Sequence, residues 1–163
     1  MVRVILSLLL IGGICGTLLV SIDKSTAATI AANREARART LMLDMLGASN
    51  ETNLEFHSEV FGDCQNWVFQ RVQASGYAGL IDVLVLWRAA TGGLQMRVTA
   101  HRETPGIGDF IDHARNPWIT TLDNQPPVHY ANLDNVSGAT ITTAAIRRAA
   151  QLASQQVEDY CAR

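Results

Sequence analysis

From Val4 to Ile22 the chain reads V-I-L-S-L-L-L-I-G-G-I-C-G-T-L-L-V-S-I, without a charge and without a polar face. As a helix this run extends about 28 Å, close to the hydrocarbon thickness of a bilayer. A signal-peptide core is shorter, roughly 7–15 residues. A retained membrane anchor is therefore expected over a cleaved signal, although Ser25 to Ala28 offers small residues to a peptidase. Arg3 precedes the run and Asp23-Lys24 follows it, which leaves the N-terminus in the cytoplasm and exports the rest.

Beyond the span the pattern changes. Thr29 to Gly47 is rich in Ala, Leu and Met and ends in glycine, which predicts a helix stopping at Gly47. Ala48 to Gly62 has no clear period. Asn66 to Ala74, N-W-V-F-Q-R-V-Q-A, has the aromatic and β-branched content of a strand, and Ser75-Gly76 breaks it. Leu80 to Trp87 is more continuously apolar, as in a strand with little exposure. Ala90 to Gly93 turns the chain, and Leu94 to His101 alternates into a further strand, so the pair predicts an antiparallel hairpin. Pro117-Trp118 opens a short helical turn, and Pro126-Pro127 breaks the chain again. From Ile141, positions Ala145, Ala149, Leu152 and Gln156 recur, with Ile146, Ala153 and Val157 beside them. That spacing predicts a closing helix packed on the sheet. Gly62, Gly76, Gly79, Gly92 and Gly93 read as routine turn glycines.

Composition narrows the function. With 163 residues, a formal charge of -2 and 17% charged residues, the chain offers no reason to expect a nucleic-acid partner. No strand–helix alternation or G-x-G-x-x-G supports a nicotinamide-binding Rossmann domain. Cys15 lies in the apolar run. Cys64 and Cys161 are free to pair in an oxidising compartment, and no Cys-x-x-Cys or His-rich spacing supports the alternative of metal thiolates.

Two stretches carry candidate chemistry. His101 to Asp109, H-R-E-T-P-G-I-G-D, holds one proline and two glycines in nine residues, which forces a shaped loop at a strand end. It is either an ordinary turn or a place where Gly106 and Gly108 let backbone approach a flat ligand, with Glu103 and Thr104 as polar contacts. In Asp134 to Ala150, D-N-V-S-G-A-T-I-T-T-A-A-I-R-R-A-A, hydroxyls crowd a helix entrance. Capping needs only one of them. The other use is phosphate binding, where the free amides and helix dipole would stabilise a phosphate esterified to Thr140. A serine-hydrolase reading of Ser137 with His101, His113 or His129 lacks both G-x-S-x-G and S-x-x-K.

An N-terminal span, then H-R-E-T-P-G-I-G-D, then D-N-V-S-G-A-T-I-T resembles the RnfG/RsxG family, the G subunits of Rnf electron-transport complexes. The related C subunit of the sodium-translocating NADH:quinone reductase shares the flavin-attachment pattern Asp-x-x-Ser/Thr-Gly-Ala-Thr. The likeness takes in W-I-T at Trp118 to Thr120 and Y-A-G at Tyr77 to Gly79, while the Cys64–Tyr77 and Asp123–Asp134 regions are shorter than in the family. The resemblance implies FMN bound covalently to Thr140 through a phosphoester, with the bond made by a separate flavin transferase. It implies matching roles for Asp134, Ser137, Gly138 and Ala139. The candidate ring-side loop is Glu103 to Gly108, with Glu103, Thr104, Pro105, Gly106 and Gly108, and Thr142 beside the tether, as candidate cofactor contacts. The resemblance also supports pairing Cys64 with Cys161.

The expected fold is α+β, with a single N-terminal transmembrane helix followed by an exported FMN-binding domain of antiparallel sheet and packed helices. Residues 1–3 form a cytoplasmic tail, 4–22 the anchor, 23–47 a membrane-proximal helical segment and 48–163 the FMN-binding domain. The expected function is electron transfer within a membrane-bound ion-translocating ferredoxin:NAD oxidoreductase complex of the cell inner membrane, with other membrane subunits as partners. In this role the protein is a redox subunit, not catalytic on a substrate of its own, and uses no metal. The alternatives are a stand-alone periplasmic flavoprotein with another acceptor and a flavin-free interaction domain.

Overall fold

The computed structural model describes residues 2–47 and 60–163. The chain divides into two compact units, Met1–Arg37 and Ala38–Arg163. The helix α1, Val2–Leu46, contributes to both, so the expected span and the expected membrane-proximal helix are one element. It ends where the sequence predicts, with Gly47 at φ 67° and its amide on the Asp44 carbonyl.

In the first unit α1 is exposed along its length, and it is the one described helix long and apolar enough to cross a membrane. Its hydroxyls are turned back onto the helix: Ser7 donates to Arg3 O at 2.9 Å, Thr17 to Gly13 O at 2.9 Å and Ser21 to Thr17 O at 2.8 Å. Polar side chains satisfied in this way suit a surrounding that supplies no hydrogen bonds.

The second unit is built on a four-stranded antiparallel sheet in sequential order: β1 (Val60–Asp63), β2 (Trp67–Ser75), β3 (Leu80–Arg88) and β4 (Gly93–Ala100). The last three match the predicted strands. The first does not, because four residues containing a glycine give no period to read. Period-2 alternation divides the apolar residues between two faces. One face, with Val72, Ala74, Val83, Val85, Met96 and Val98, packs against the C-terminal helix α3, Thr140–Cys161. The other, with Phe69, Leu84 and Leu86, is covered by Leu41, Met42 and Met45 near the end of α1.

Two 3-10 turns, Asp109–Ile111 and Pro117–Leu122, and the short helix α2, Pro127–Ala131, join β4 to α3. The second turn is capped by Asn116, whose side chain accepts from Trp118 N at 2.9 Å. Pro126-Pro127 starts a helix instead of merely breaking the chain, because Pro127 occupies a first-turn position that needs no amide donor. Tyr130 on α2 is fully buried and its Oη lies 2.6 Å from Leu122 O and 2.9 Å from Leu94 O. Burial pushes this phenol well above its ordinary value, so it remains a neutral donor. A Y130F protein is expected to lose about 0.5–1.5 kcal/mol in denaturant unfolding, since the one O–H shared by the two carbonyls is lost while each keeps a backbone donor.

The predicted phase of α3 needs correction. Ile141 and Leu152 are exposed, and the buried stripe is Thr142, Thr143, Ala145, Ile146, Ala149, Ala150, Ala153 and Val157. The two threonines displace Ile141 from the interface because their hydroxyls have partners inside. At the far end, Cys161 is joined to Cys64 in the β1–β2 turn by a disulfide with Cα atoms 5.7 Å apart.

Candidate functional site

The hydroxyls at the entrance of α3 have separate uses. Thr143 Oγ1 donates to Ala139 O at 3.0 Å and accepts from Val136 N at 3.3 Å, folding the Val136–Ala139 turn onto the helix. Thr142 Oγ1 donates to Glu103 Oε2. Ser137 and Thr140 are exposed, and their side chains make no hydrogen bond among the described residues. Thr140 is the first residue of α3; Ala139 stands at the cap position, and no side chain caps the helix. The first helical bond is Thr143 N to Ala139 O, so the amides of Thr140, Ile141 and Thr142 precede the ladder. Gly138 has φ 78°, and a Cβ there would meet nothing within 4 Å. Asp134 is also exposed, while Ala139 is buried.

The second motif forms a compact loop. Thr104 O accepts from Ile107 N at 3.1 Å and Gly108 N at 2.8 Å, with Gly106 at φ 85°. Thr104, Pro105 and Gly106 are exposed. Asp109 closes the loop: its Oδ2 accepts from Gly106 N at 3.0 Å and its Oδ1 from Arg115 Nη1 at 2.7 Å. The Gly106 amide, followed by the Arg115 guanidinium, holds the Asp109 carboxyl below its ordinary value of 3.8. A carboxyl with a depressed folded pKa stabilises fully above the unfolded value and loses that contribution as pH falls through the folded one. Gly106 amide protection is therefore expected to be flat from neutral pH to about 5 and to fall only in stronger acid; D109N should remove that dependence in exchange measurements.

Glu103 does not lie open to a ligand, as its place in a shaped loop would suggest. It is buried, with Oε1 accepting from Ala78 N at 3.0 Å and Oε2 from Thr142. Gly108 is buried beside it, and a Cβ there would overlap that of Glu103. Gly76 is no routine turn glycine, since its Cβ would strike the same carboxyl group. The contact between Glu103 and Thr142 thus brings the two motifs together across 39 positions. Ala78 falls within the Y-A-G likeness, but its part is played by its amide, which no side-chain pattern reports; no sequence signal points to Phe110, which packs edge-on against half-buried Trp118 with centroids 4.7 Å apart. His101, a possible base by residue type, has its Nδ1 accepting from Glu103 N at 3.2 Å.

Residues 76–155, which contain both motifs, match the family model of the FMN-binding domain. The G subunit of the ion-translocating oxidoreductase complex of Pseudomonas aeruginosa is 31% identical over an alignment of 161 residues, covering 78% of this chain and 75% of that protein. The chain belongs to the RnfG/RsxG family. Other members are similar over a shorter region: the corresponding protein of Salmonella typhimurium is 32% identical over 102 residues, taking in 56% of this chain and 50% of its own. That of Cronobacter sakazakii is 36% identical over 98 residues, or 53% and 47%. As a member of this family the chain joins one N-terminal apolar helix to an FMN-binding domain of mixed α+β fold.

Proposed function

We propose that this protein is the membrane-tethered electron-transfer subunit of an Rnf-type ion-translocating ferredoxin:NAD oxidoreductase complex, carrying FMN esterified through its phosphate to Thr140. The observation that carries the reading is the state of that residue. In a turn where Thr142 and Thr143 are committed to the fold, the Thr140 hydroxyl is exposed, uncommitted and beside uncapped helix amides. Those amides and the helix dipole suit the single negative charge left on a phosphodiester. Gly138, at φ 78°, turns the chain two residues before Thr140, with open space around its Cα. Bound there, the flavin supplies one- and two-electron redox chemistry.

Modification is the work of a flavin transferase. The Thr140 oxygen gains a bond to phosphorus and gives up its proton, while the activated donor loses its nucleotide leaving group. Residues 4–22 serve as a retained anchor in the inner membrane, with 1–3 cytoplasmic, 23–47 leading outward and 48–163 on the periplasmic side. In that compartment a diffusible cofactor would be lost, and a covalent tether keeps its local concentration high. The neighbouring membrane subunits of the complex are the donor and acceptor.

The test is intact mass of protein purified from cells that contain the transferase, followed by peptide mapping. The expected product is heavier by one FMN less one water, with the addition on the peptide holding Thr140. An unmodified mass would sink the proposal.

A further inference from the structure

Glu103 is a costly residue to place where it is. It is only 6% exposed, and two glycines, Gly76 and Gly108, lack side chains where a Cβ would collide with it. An apolar residue would fill such a position without the desolvation of a carboxyl group. What the carboxyl group achieves is a junction: one oxygen holds the β2–β3 turn at Ala78 N, the other holds α3 at Thr142. Successive helical residues turn by about 100°, so Thr142 and Thr140 point roughly 200° apart. Holding Thr142 inward fixes the roll of the first turn with Thr140 outward. Three residues next in sequence to those of the junction are exposed and apolar. Tyr77, 71% exposed, adjoins Ala78; Ile107, 52% exposed, adjoins Gly108; Ile141, 50% exposed, adjoins Thr142.

We infer that Glu103 is a positioning residue for the modification of Thr140: through Thr142 it sets the direction in which the hydroxyl is presented to the flavin transferase. This rests on the reading of Thr140 as the attachment residue. The full-length protein is co-expressed with the transferase as wild type, T142V and T142S. The flavinylated fraction is followed over time by intact mass, and amide exchange is read at Ala78 and Gly108. T142V is expected to fold but to load roughly ten- to a hundredfold more slowly, the scale of effect of a misplaced reacting group. Its Ala78 amide should exchange faster, although the substitution lies on another element. T142S, which keeps the hydroxyl, should restore both.

Loading of T142V at the wild-type rate would overturn the inference, as would T142S behaving like T142V. Should T142V fail to fold, E103Q reads the same junction: its single carbonyl oxygen still accepts from Ala78 N, its NH2 group faces Thr142 where the carboxylate accepted, the Thr142 hydroxyl loses its acceptor, and loading about fivefold slower is expected. A wild-type rate in E103Q would count against us equally. If wild-type protein takes up no flavin, the Thr140 assignment fails separately, and the exchange at Ala78 in T142V then decides alone whether Glu103 joins the segments.

Discussion

A Thr140→Ala protein produced beside the flavin transferase is expected to fold like the wild type and to show no flavin fluorescence on a denaturing gel. The two halves of this expectation have different causes. Folding survives because Thr140 is exposed, caps nothing and makes no side-chain hydrogen bond among the described residues. Surface substitutions of that kind usually fall within about 0.5 kcal/mol of neutral. Attachment is lost because no other hydroxyl in the turn can replace it. Thr142 and Thr143 are buried, with their oxygens engaged by Glu103 and by the Val136–Ala139 turn. Ser137 is exposed but lies before the helix and outside its first turn. Full fluorescence in the variant would move the tether elsewhere, with Ser137 the residue to test next.

Loss of the Cys64–Cys161 bond is expected to cost about 2–5 kcal/mol, measured as the difference in denaturant unfolding between the wild type and a C64S/C161S protein. The magnitude follows from the closed loop. The bond spans 97 positions and ties the β1–β2 turn to the last residue of α3. In the chain-entropy account, long loops restrict the unfolded chain most. The damage should begin locally. The Tyr160 hydroxyl donates to Gly62 O at 3.2 Å next to the bridge, so the end of α3 should be the first place where exchange protection falls. Thr140 lies at the opposite end of the helix, and flavin attachment should persist under conditions where the reduced protein remains folded.

The parts that were legible in the sequence are those where one strong local signal acts alone. Alternation and β-branching marked β2, β3 and β4, and glycine at position 47 marked the end of α1. The turn at the entrance of α3 was legible as a motif, though its internal hydrogen bonding was not. Thr142 and Thr143 look like helix-surface residues by composition, and their burial depends on Glu103, 39 positions before Thr142, and on a turn that folds back from Val136. For the same reason Ile141 was expected inside and lies outside. The meaning of Gly76 was equally hidden, because its neighbour in space is a carboxyl group from a loop after the next two strands. What was missed consists of long-range contacts made by polar groups, and hydrophobic periodicity carries no trace of those.

The helix that bears Thr140 meets the sheet through Ala145, Ala149, Ala150 and Ala153, all fully buried. A methyl group has no alternative rotamer, so this seam has little slack in either direction. Trimming one of these alanines to glycine costs about 1 kcal/mol of helix propensity, and each added branch must push the helix outward at a cost of about 1–3 kcal/mol. The consequence falls at the helix's leading residue: bulk introduced two or three turns away would shift the hydroxyl without touching it, and drift at those alanines is constrained as though they belonged to the site.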